Sequence, residues 1–173
     1  MTRFALLVPL ALLVFGDPAP AADKLKVRSK AFKNGKKFPQ TFTADGKNIS
    51  PPLEWSPGPK GTQSYAIICD DPDAPRGVFV HWVIFNIPAK THQLTEGAKP
   101  SESGARQGRN SRGKMGYMGP APPKGKPHHY HFKVYALDKT LGLKAGATKK
   151  QLQAAMKGHV LAKGEIVGLY GRR

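Results

Sequence analysis

The amino-acid sequence predicts a mostly β domain, and three observations lead to this prediction. The 173 residues include 19 glycines and 16 prolines, a content that favours many turns and short strands over a helical bundle. Three stretches, residues 64–69, 78–87 and 128–137, are rich in the apolar, β-branched and aromatic residues that are typical of strands. Only residues 148–157 combine a capping signal with an apolar stripe of helical spacing.

Residues 1–21 have the features of a secretory signal peptide. Arg3 gives a positive start, an apolar run follows over residues 4–16, and small residues predict cleavage near Ala21 or Ala22. The alternative is a membrane anchor, which is disfavoured because thirteen residues are too few to span a bilayer comfortably. We therefore expect export, to the periplasm or out of the cell.

Residues 22–173 are predicted to form one domain without an internal disulfide. Their number suits a single domain with a real core and is small for two. The one cysteine, Cys69, lies in an apolar stretch that is typical of a core residue rather than a nucleophile. The formal net charge of +17 indicates attraction to anions in general, although a merely soluble, basic surface accounts for it equally well.

The first elements of this domain are expected to be short. Residues 22–63 are polar and rich in turns, and the segment SPPLEW, residues 50–55, is rigid and extended because of its paired prolines. We expect this segment to form an edge across a sheet, with Trp55 as its anchor. The first central strand is predicted over residues 63–70.

The next stretch, CDDPDAPRGVFVHWVIFNIP at residues 69–88, combines an acidic corner with a second central strand. Its prolines fix φ and remove backbone donors, so Asp71 and Asp73 are expected on a stiff loop at a strand end. The strand is apolar on both faces apart from His81, and a buried imidazole needs a partner such as these carboxylates. Period-two alternation groups Phe79, His81, Val83 and Phe85 on one face and Val80, Trp82 and Ile84 on the other.

Residues 89–127 are predicted to form a long irregular loop, which in a compact domain is usually functional or mobile. Its glycines allow backbone amides to approach a bound oxyanion closely, although no segment matches a phosphate-binding P-loop. In the strand predicted over residues 128–137, alternation places His128 and Tyr130 on one face, beside this loop.

The chain is expected to end with a helix and a strand. Thr148 and Gln151 form a capping box at the start of the helix, and Gly158 ends it. The last strand is predicted over residues 159–170.

Several blocks of sequence occur in a familiar order: NISPPLEW, then DPDAP with HWVIFNIP, then GYMGPAPPKGKPHHYHFKVYALD, then GHVLAKGEIVGLYGR. Together, over residues 38–172, they resemble the bacterial branch of the phosphatidylethanolamine-binding (Raf kinase inhibitor-like) family. The resemblance implies a two-sheet β-sandwich with few peripheral helices and a small anion-binding cavity at one end. The chain has Ala44 and Ala121 where many bacterial relatives have cysteine, so a thiol-dependent role is not expected.

The resemblance also implies a ligand-binding set and its ligand, a phosphate or phospholipid head group. The set consists of Asp71, His81, Pro123, His128 and Tyr130, taken from the DPDAP, HWVIFNIP, PPKG and PHHY motifs. We expect Asp71 to orient a histidine, because a carboxylate repels an anion, and to raise the pKa of the imidazoles. A satisfied His–Asp network that binds nothing is the alternative.

Catalysis is not expected, and no catalytic residue, metal or cofactor is predicted, because HExxH, GxSxG and clustered cysteine motifs are absent from the sequence. The predicted function is anion binding, with modulation of an unidentified partner protein in the cell envelope. Two alternatives remain: a hydrolase of phosphoesters, and an inhibitory protein that binds partners, or contacts anionic surfaces peripherally, through its basic surface. Specific nucleic-acid binding is not expected, because there is no stacking motif and export removes most nucleic acid.

Overall fold

Two β-sheets, one of seven strands and one of three, make up the fold of the described residues. The structure is a computed structural model that describes residues 23–99 and 104–172, so the predicted signal peptide lies outside the described residues. A 3-10 turn, Gln40–Phe42, accompanies the strands. In chain order, the elements are β1 (Asp23–Lys24), β2 (Val27–Arg28), β3 (Lys36–Lys37), β4 (Leu53–Trp55), β5 (Ser64–Asp71), β6 (Phe79–Pro88), β7 (Gln93–Leu94), β8 (Arg106–Gln107), β9 (His128–Leu137), α1 (Lys149–Met156) and β10 (Val160–Tyr170).

The large sheet has the order β1-β10-β9-β5-β6-β8, and β3 adds to it by pairing with β10. Its four long strands, β5, β6, β9 and β10, are mutually antiparallel where they pair. The small sheet has the order β2-β4-β7. This architecture confirms the predicted mostly β fold with two sheets and a peripheral helix.

The large sheet is buried on both of its faces at its centre. One face packs towards the small sheet, where Tyr65 and Phe132 join a cluster with Trp55. The opposite face carries Ile68, which joins a second cluster beneath α1. All eight residues of β5 are buried, as expected for a strand whose two faces are both apolar.

The SPPLEW segment does not form an edge, contrary to the prediction. Its strand β4 is the middle strand of the small sheet, because Trp55 pairs with Val27 on one side and Leu53 pairs with Leu94 on the other. The paired prolines precede the strand, so they leave its backbone free to pair in both directions. Trp55 is nevertheless the expected anchor, since it is buried and its ring packs edge-on against Tyr65 with 5.6 Å between centroids.

The second central strand contains an inserted residue at His81. Cys69 of β5 pairs with Trp82, and the next residue, Asp70, pairs with Val80, so His81 has no partner on β5. This arrangement is a β-bulge, in which two residues of one strand oppose a single residue of the other and the side-chain alternation is interrupted.

The bulge changes the face on which His81 lies. Its ring packs edge-on against Tyr130, 5.2 Å between centroids, on the side of the sheet where Trp82 is buried. Val83 and Phe85 are buried on the opposite side, in the cluster beneath α1. The predicted grouping of His81 with Val83 and Phe85 is therefore wrong, because a period-two count cannot register an inserted residue.

The helix forms as the sequence predicts. The Thr148 side chain accepts a hydrogen bond from the backbone of Gln151, whose side chain reaches back to the backbone of Thr148, a complete capping box. Leu152 and Met156 are buried against the sheet, so the amphipathic stripe faces the core. No helix in the described part of the chain has the length and apolar character needed to cross a membrane.

Candidate functional site

A small cavity of about 160 Å³ lies at the edge of the large sheet where β5 ends and β6 and β9 begin. Strand ends meet there because the three strands are antiparallel neighbours. Five side chains predicted as a ligand-binding set line this one cavity: Asp71, His81, Pro123, His128 and Tyr130. The wall also includes Ala121, and it is completed by Ala74, Pro75, Phe79, Arg112, Met118 and Pro122.

Asp71 is committed to contacts within the protein. One oxygen, Oδ2, lies 2.8 Å from Nδ1 of His128, and the other, Oδ1, accepts the backbone N–H of Asp73 at 2.8 Å. An ionised carboxylate only accepts hydrogen bonds, so it fixes a proton on Nδ1 of His128 and leaves Nε2 of that ring for another partner. Asp71 thus contacts His128 directly.

The second aspartate of the corner ties it to β9. The Asp73 carboxylate accepts the backbone N–H of His129 at 2.8 Å and lies at the same distance from Nδ1 of that ring. These hydrogen bonds lower the pKa of Asp73. The proline-bearing corner and the start of β9 are therefore held together by a second pair of residues beside the Asp71–His128 contact.

His81 is almost fully buried, and its environment differs from that expected. Its Nδ1 lies 2.7 Å from the carbonyl oxygen of Met118, which can only accept, so Nδ1 carries a proton. Burial lowers the pKa of His81, and the nearby Asp71 charge opposes this effect without overcoming it. The expectation that the carboxylates raise the pKa of this imidazole is wrong, because the loss of hydration outweighs the attraction.

Tyr130 lies at the base of the cavity with an unsatisfied hydroxyl. Its side chain is fully buried, and its Oη has no hydrogen-bond partner among the described residues. Burial, reinforced by the Asp71 charge, raises the pKa of Tyr130, so the hydroxyl keeps its proton. A buried hydroxyl without a partner is unfavourable, and Tyr130 is the one residue with such an atom, among those described, that lines the cavity.

Arg112 is a cavity residue that the sequence did not identify as part of the site. It lies in a turn organised by Asn110, whose buried side chain accepts the backbone N–H groups of Arg112 and Lys114 at 3.0 and 3.2 Å. Ser111 joins this turn to β6 by accepting the N–H of Val80 at 2.8 Å. The sequence singled out this segment for its glycines and backbone amides, whereas the structure adds Arg112, an exposed residue, to the cavity lining.

Pro122 and Pro123 form part of the cavity wall, and Arg172, just beyond the end of β10, contacts Pro122. Arg172 binds Asp45 through two contacts, Nε to Oδ2 at 2.7 Å and Nη2 to Oδ1 at 2.5 Å, and donates to the carbonyl of Pro122 at 3.4 Å. Tyr170 donates to the same aspartate at 2.8 Å. These hydrogen bonds, chiefly that of Arg172, lower the pKa of Asp45 to about 2.

Cys69 is buried in β5, and burial raises the pKa of its thiol, as is typical of a core cysteine. Within residues 23–99 and 104–172, no three His, Cys, Asp or Glu side chains converge in an arrangement that could hold a metal ion.

Comparison with known families agrees with this fold and with the sequence blocks. The family model described as phosphatidylethanolamine-binding protein matches residues 28–171. The chain belongs to the phosphatidylethanolamine-binding protein family. A UPF0098 protein of Aquifex aeolicus is 47% identical over 152 residues, which cover 86% of this chain and 89% of that protein.

Solved structures of the phosphatidylethanolamine-binding protein family share the fold. The homologue CT736 of Chlamydia trachomatis has a TM-score of 0.81 at 37% identity and covers 88% of this chain and 100% of its own. Escherichia coli YbcL, described as a member of the mammalian family, has a TM-score of 0.80 at 34% identity, with 87% and 99% covered. A relative in Mycobacterium tuberculosis, named as the lipoprotein LppC, is 38% identical over 154 residues, covering 88% of this chain and 75% of that protein.

Proposed function

We propose that the cavity binds a phosphate-type oxyanion, either inorganic phosphate or the phosphate of a lipid head group. The observation that supports this most directly is the buried, unpartnered hydroxyl of Tyr130, a residue that lines the cavity. A ligand oxygen would accept its proton and relieve an unfavourable buried group. The phosphatidylethanolamine-binding family to which the chain belongs is named for a phosphate-containing ligand.

The other polar groups of the cavity complement an anion. His128 has Nδ1 engaged by Asp71, so its Nε2 is the nitrogen that remains for a ligand. Arg112 brings a guanidinium, a group well suited to phosphate oxygens. Asp71 does not set bare oxygens against the anion, because both of them already accept hydrogen bonds from the protein.

The size of the cavity limits the part of a ligand that fits inside. Its volume of about 160 Å³ is well below the range of roughly 300–1,000 Å³ that is usual for drug-sized ligands. A phosphate group fits this space, whereas the remainder of a larger molecule would stay outside. Pro122 and Pro123 give that space a stiff wall, and Arg172 secures it.

The proposed activity is binding and not catalysis. Hydrolysis of a phosphoester by covalent catalysis needs a nucleophile activated by a neighbouring base. Ser111, at the edge of this region, uses its hydroxyl oxygen to accept the N–H of Val80, and Cys69 is buried within the sheet. Neither of these two side chains is brought to a base as an activated nucleophile.

We further propose that binding takes place outside the cytoplasm. The residues predicted as a signal peptide and the lipoprotein-named relative support an envelope or extracellular location. The net charge of +17 suits a protein that meets anionic lipids or envelope polymers there. In that compartment the protein would modulate a partner protein, and binding of the ligand in the cavity would expose or occlude the partner.

Calorimetric titration with inorganic phosphate tests the proposal. The His128→Ala variant removes an imidazole that lines the cavity, and we expect its phosphate affinity to fall roughly tenfold to a hundredfold. His159→Ala is the matched control, because His159 pairs with Asp138 and does not line the cavity. Equal phosphate affinity in the wild type and in His128→Ala would contradict the proposal.

A further inference from the structure

His129 and His131 form a pair of imidazoles on β9, outside the cavity. They are two residues apart on one strand, so both side chains project from the same face of the sheet. The centroids of their rings are 6.5 Å apart. The two side chains are 49% and 26% exposed, and neither residue lines the cavity. Solvent therefore reaches two neighbouring imidazoles that the proposed anion binding does not use.

A carboxylate holds each of the two rings. Nδ1 of His129 lies 2.8 Å from Oδ2 of Asp73, and Nδ1 of His131 lies 3.2 Å from Oε2 of Glu165. Because an ionised carboxylate only accepts hydrogen bonds, each Nδ1 carries a proton, and the lone pair of the neutral ring is on Nε2. Histidines that bind metal ions almost always donate their other N–H in this way, which orients the ring and makes it a better ligand.

The charges next to the pair favour a cation. Asp73 and Glu165 bring two carboxylates, and the side chains of both are nearly half exposed. Lys133, the next residue on the same face of β9, lies 2.7 Å from a carboxylate oxygen of Asp70, which offsets its charge. The net charge of +17 opposes a cation, but exposed charges more than about 8 Å apart are largely screened at physiological salt. The nearby carboxylates therefore dominate the local field.

We infer that His129 and His131 form a surface chelate site for a divalent late transition-metal ion, which binds Nε2 of both rings. Metal–nitrogen bonds of about 2.0–2.1 Å require ring centroids about 5 Å apart, so the rings must approach each other by about 1–2 Å. Exposed side chains make such a movement by rotation about their χ angles. No third His, Cys, Asp or Glu side chain within residues 23–99 and 104–172 converges with the pair, so water completes the coordination. Imidazole ligands suit Cu²⁺, Ni²⁺ and Zn²⁺, and Cu²⁺ usually binds most tightly of the three.

Calorimetric titration of the protein without an affinity tag, in a phosphate-free buffer at about pH 7.5 where free imidazole is neutral, tests this inference. We expect one Zn²⁺ ion to bind per chain, and Cu²⁺ to bind more tightly than Zn²⁺. His129→Gln and His131→Gln each leave a single imidazole. Each is expected to lower Zn²⁺ affinity about tenfold or more, because the second ring of a chelate binds at a high effective concentration once the first is attached.

Two further variants separate a chelate from other arrangements. His159→Gln is the matched control, because His159 also contacts a carboxylate, that of Asp138 at 2.9 Å, but it lies beyond the other end of β9; its Zn²⁺ affinity is expected to equal that of the wild type. Glu165→Ala is expected to weaken Zn²⁺ binding about tenfold, because it releases one ring.

The same titrations can overturn the inference in three ways. Wild-type protein that binds no Zn²⁺ has no such site. A double variant, His129→Gln with His131→Gln, that keeps wild-type Zn²⁺ affinity places the site elsewhere. Single variants that each bind Zn²⁺ as tightly as the wild type show two separate rings and no chelate. None of these outcomes bears on the proposed phosphate binding, because neither histidine lines the cavity.

Discussion

Removing the hydroxyl of Tyr130 is expected to weaken anion binding without weakening the fold. In the unliganded protein, Oη of Tyr130 is buried and has no partner within the described residues, so Tyr130→Phe breaks no hydrogen bond there. Tyr65→Phe is a matched control, because Tyr65 is equally buried and its hydroxyl accepts the N–H of Gly58 at 2.8 Å. The two substitutions delete the same atom from the same core, and only one of them breaks a contact.

The expected changes in the free energy of unfolding have opposite signs. An unsatisfied buried polar group costs about 1–3 kcal/mol, so Tyr130→Phe is expected to stabilise the unliganded protein by about 1 kcal/mol. Tyr65→Phe leaves the Gly58 N–H without its acceptor and is expected to destabilise by a similar amount. For a domain of this length, each change corresponds to a shift in Tm of about 2–4 °C.

Phosphate affinity is expected to fall in Tyr130→Phe and to stay unchanged in Tyr65→Phe. If a ligand oxygen accepts the Tyr130 proton, Tyr130→Phe lowers phosphate affinity roughly fivefold to tenfold, whereas Tyr65→Phe leaves it unchanged. Thermal unfolding with and without phosphate, together with calorimetric titration, measures both quantities. A Tyr130→Phe variant that is less stable when unliganded, or that binds phosphate as the wild type does, would refute the role given to this hydroxyl.

Three further predictions concern the fold around the site. Thr148→Ala removes the capping box of α1 and is expected to cost about 1 kcal/mol in chemical denaturation, with phosphate affinity unchanged. The pKa of Asp45 falls from 3.8 to about 2 in the folded state, so the stability that Asp45 contributes is present above pH 3.8 and is lost as the pH falls towards 2. Asp45→Asn should therefore make the free energy of unfolding depend less on pH in that window, as measured by circular dichroism. Gly119→Ala would place Cβ 2.7 Å from the carbonyl oxygen of Phe42 and is expected to cost about 1–3 kcal/mol in denaturant unfolding, whereas Gly142→Ala, with open space around it, should be close to neutral.

The sequence predicts the elements of this fold well where the determining signals are local. The capping box at Thr148 and the alternation along β9 depend on residues a few positions apart, and both appear in the structure as expected. The place of β4 inside the small sheet depends on Val27 and Leu94, its partners from distant parts of the chain, so periodicity could not reveal it. The bulge at His81 likewise follows from pairing with β5, which no single strand sequence specifies.

The residues of the candidate site also differ in whether local sequence patterns predict their positions. The spacing of His128 and Tyr130 predicts their common face. The need of a buried imidazole for a partner predicts a carboxylate beside His81, which is wrong, because His81 contacts the Met118 carbonyl and Asp71 contacts His128. The part played by Arg112 depends on how the Asn110 turn packs beside β6. Arg172 supports the cavity wall and pairs with Asp45, which lies 127 residues away in the chain. No local sequence pattern predicts that contact.

The dependence of binding on salt concentration separates the cavity from the basic surface as the site of action. Seven basic side chains near the start of the described chain, none of which lines the cavity, define a basic cluster: Lys24, Lys26, Arg28, Lys30, Lys33, Lys36 and Lys37. Anion binding in the cavity involves one fixed cation, Arg112, so we expect phosphate affinity to fall only about threefold between roughly 50 and 200 mM salt. A polyanion such as heparin that contacts six or more cations of the cluster would lose about a thousandfold over the same interval.

Charge reversal within the basic cluster completes this comparison. Lys33→Glu with Lys36→Glu is expected to weaken heparin binding and to leave phosphate binding almost unchanged, because both side chains are exposed and lie outside the cavity lining. Tyr130→Phe should do the reverse, since its hydroxyl is buried and out of reach of a polymer. Phosphate binding that disappears at moderate salt, responds to the lysine variant and ignores Tyr130→Phe would instead place the activity on the basic surface, because buried groups are screened by salt far less than exposed ones.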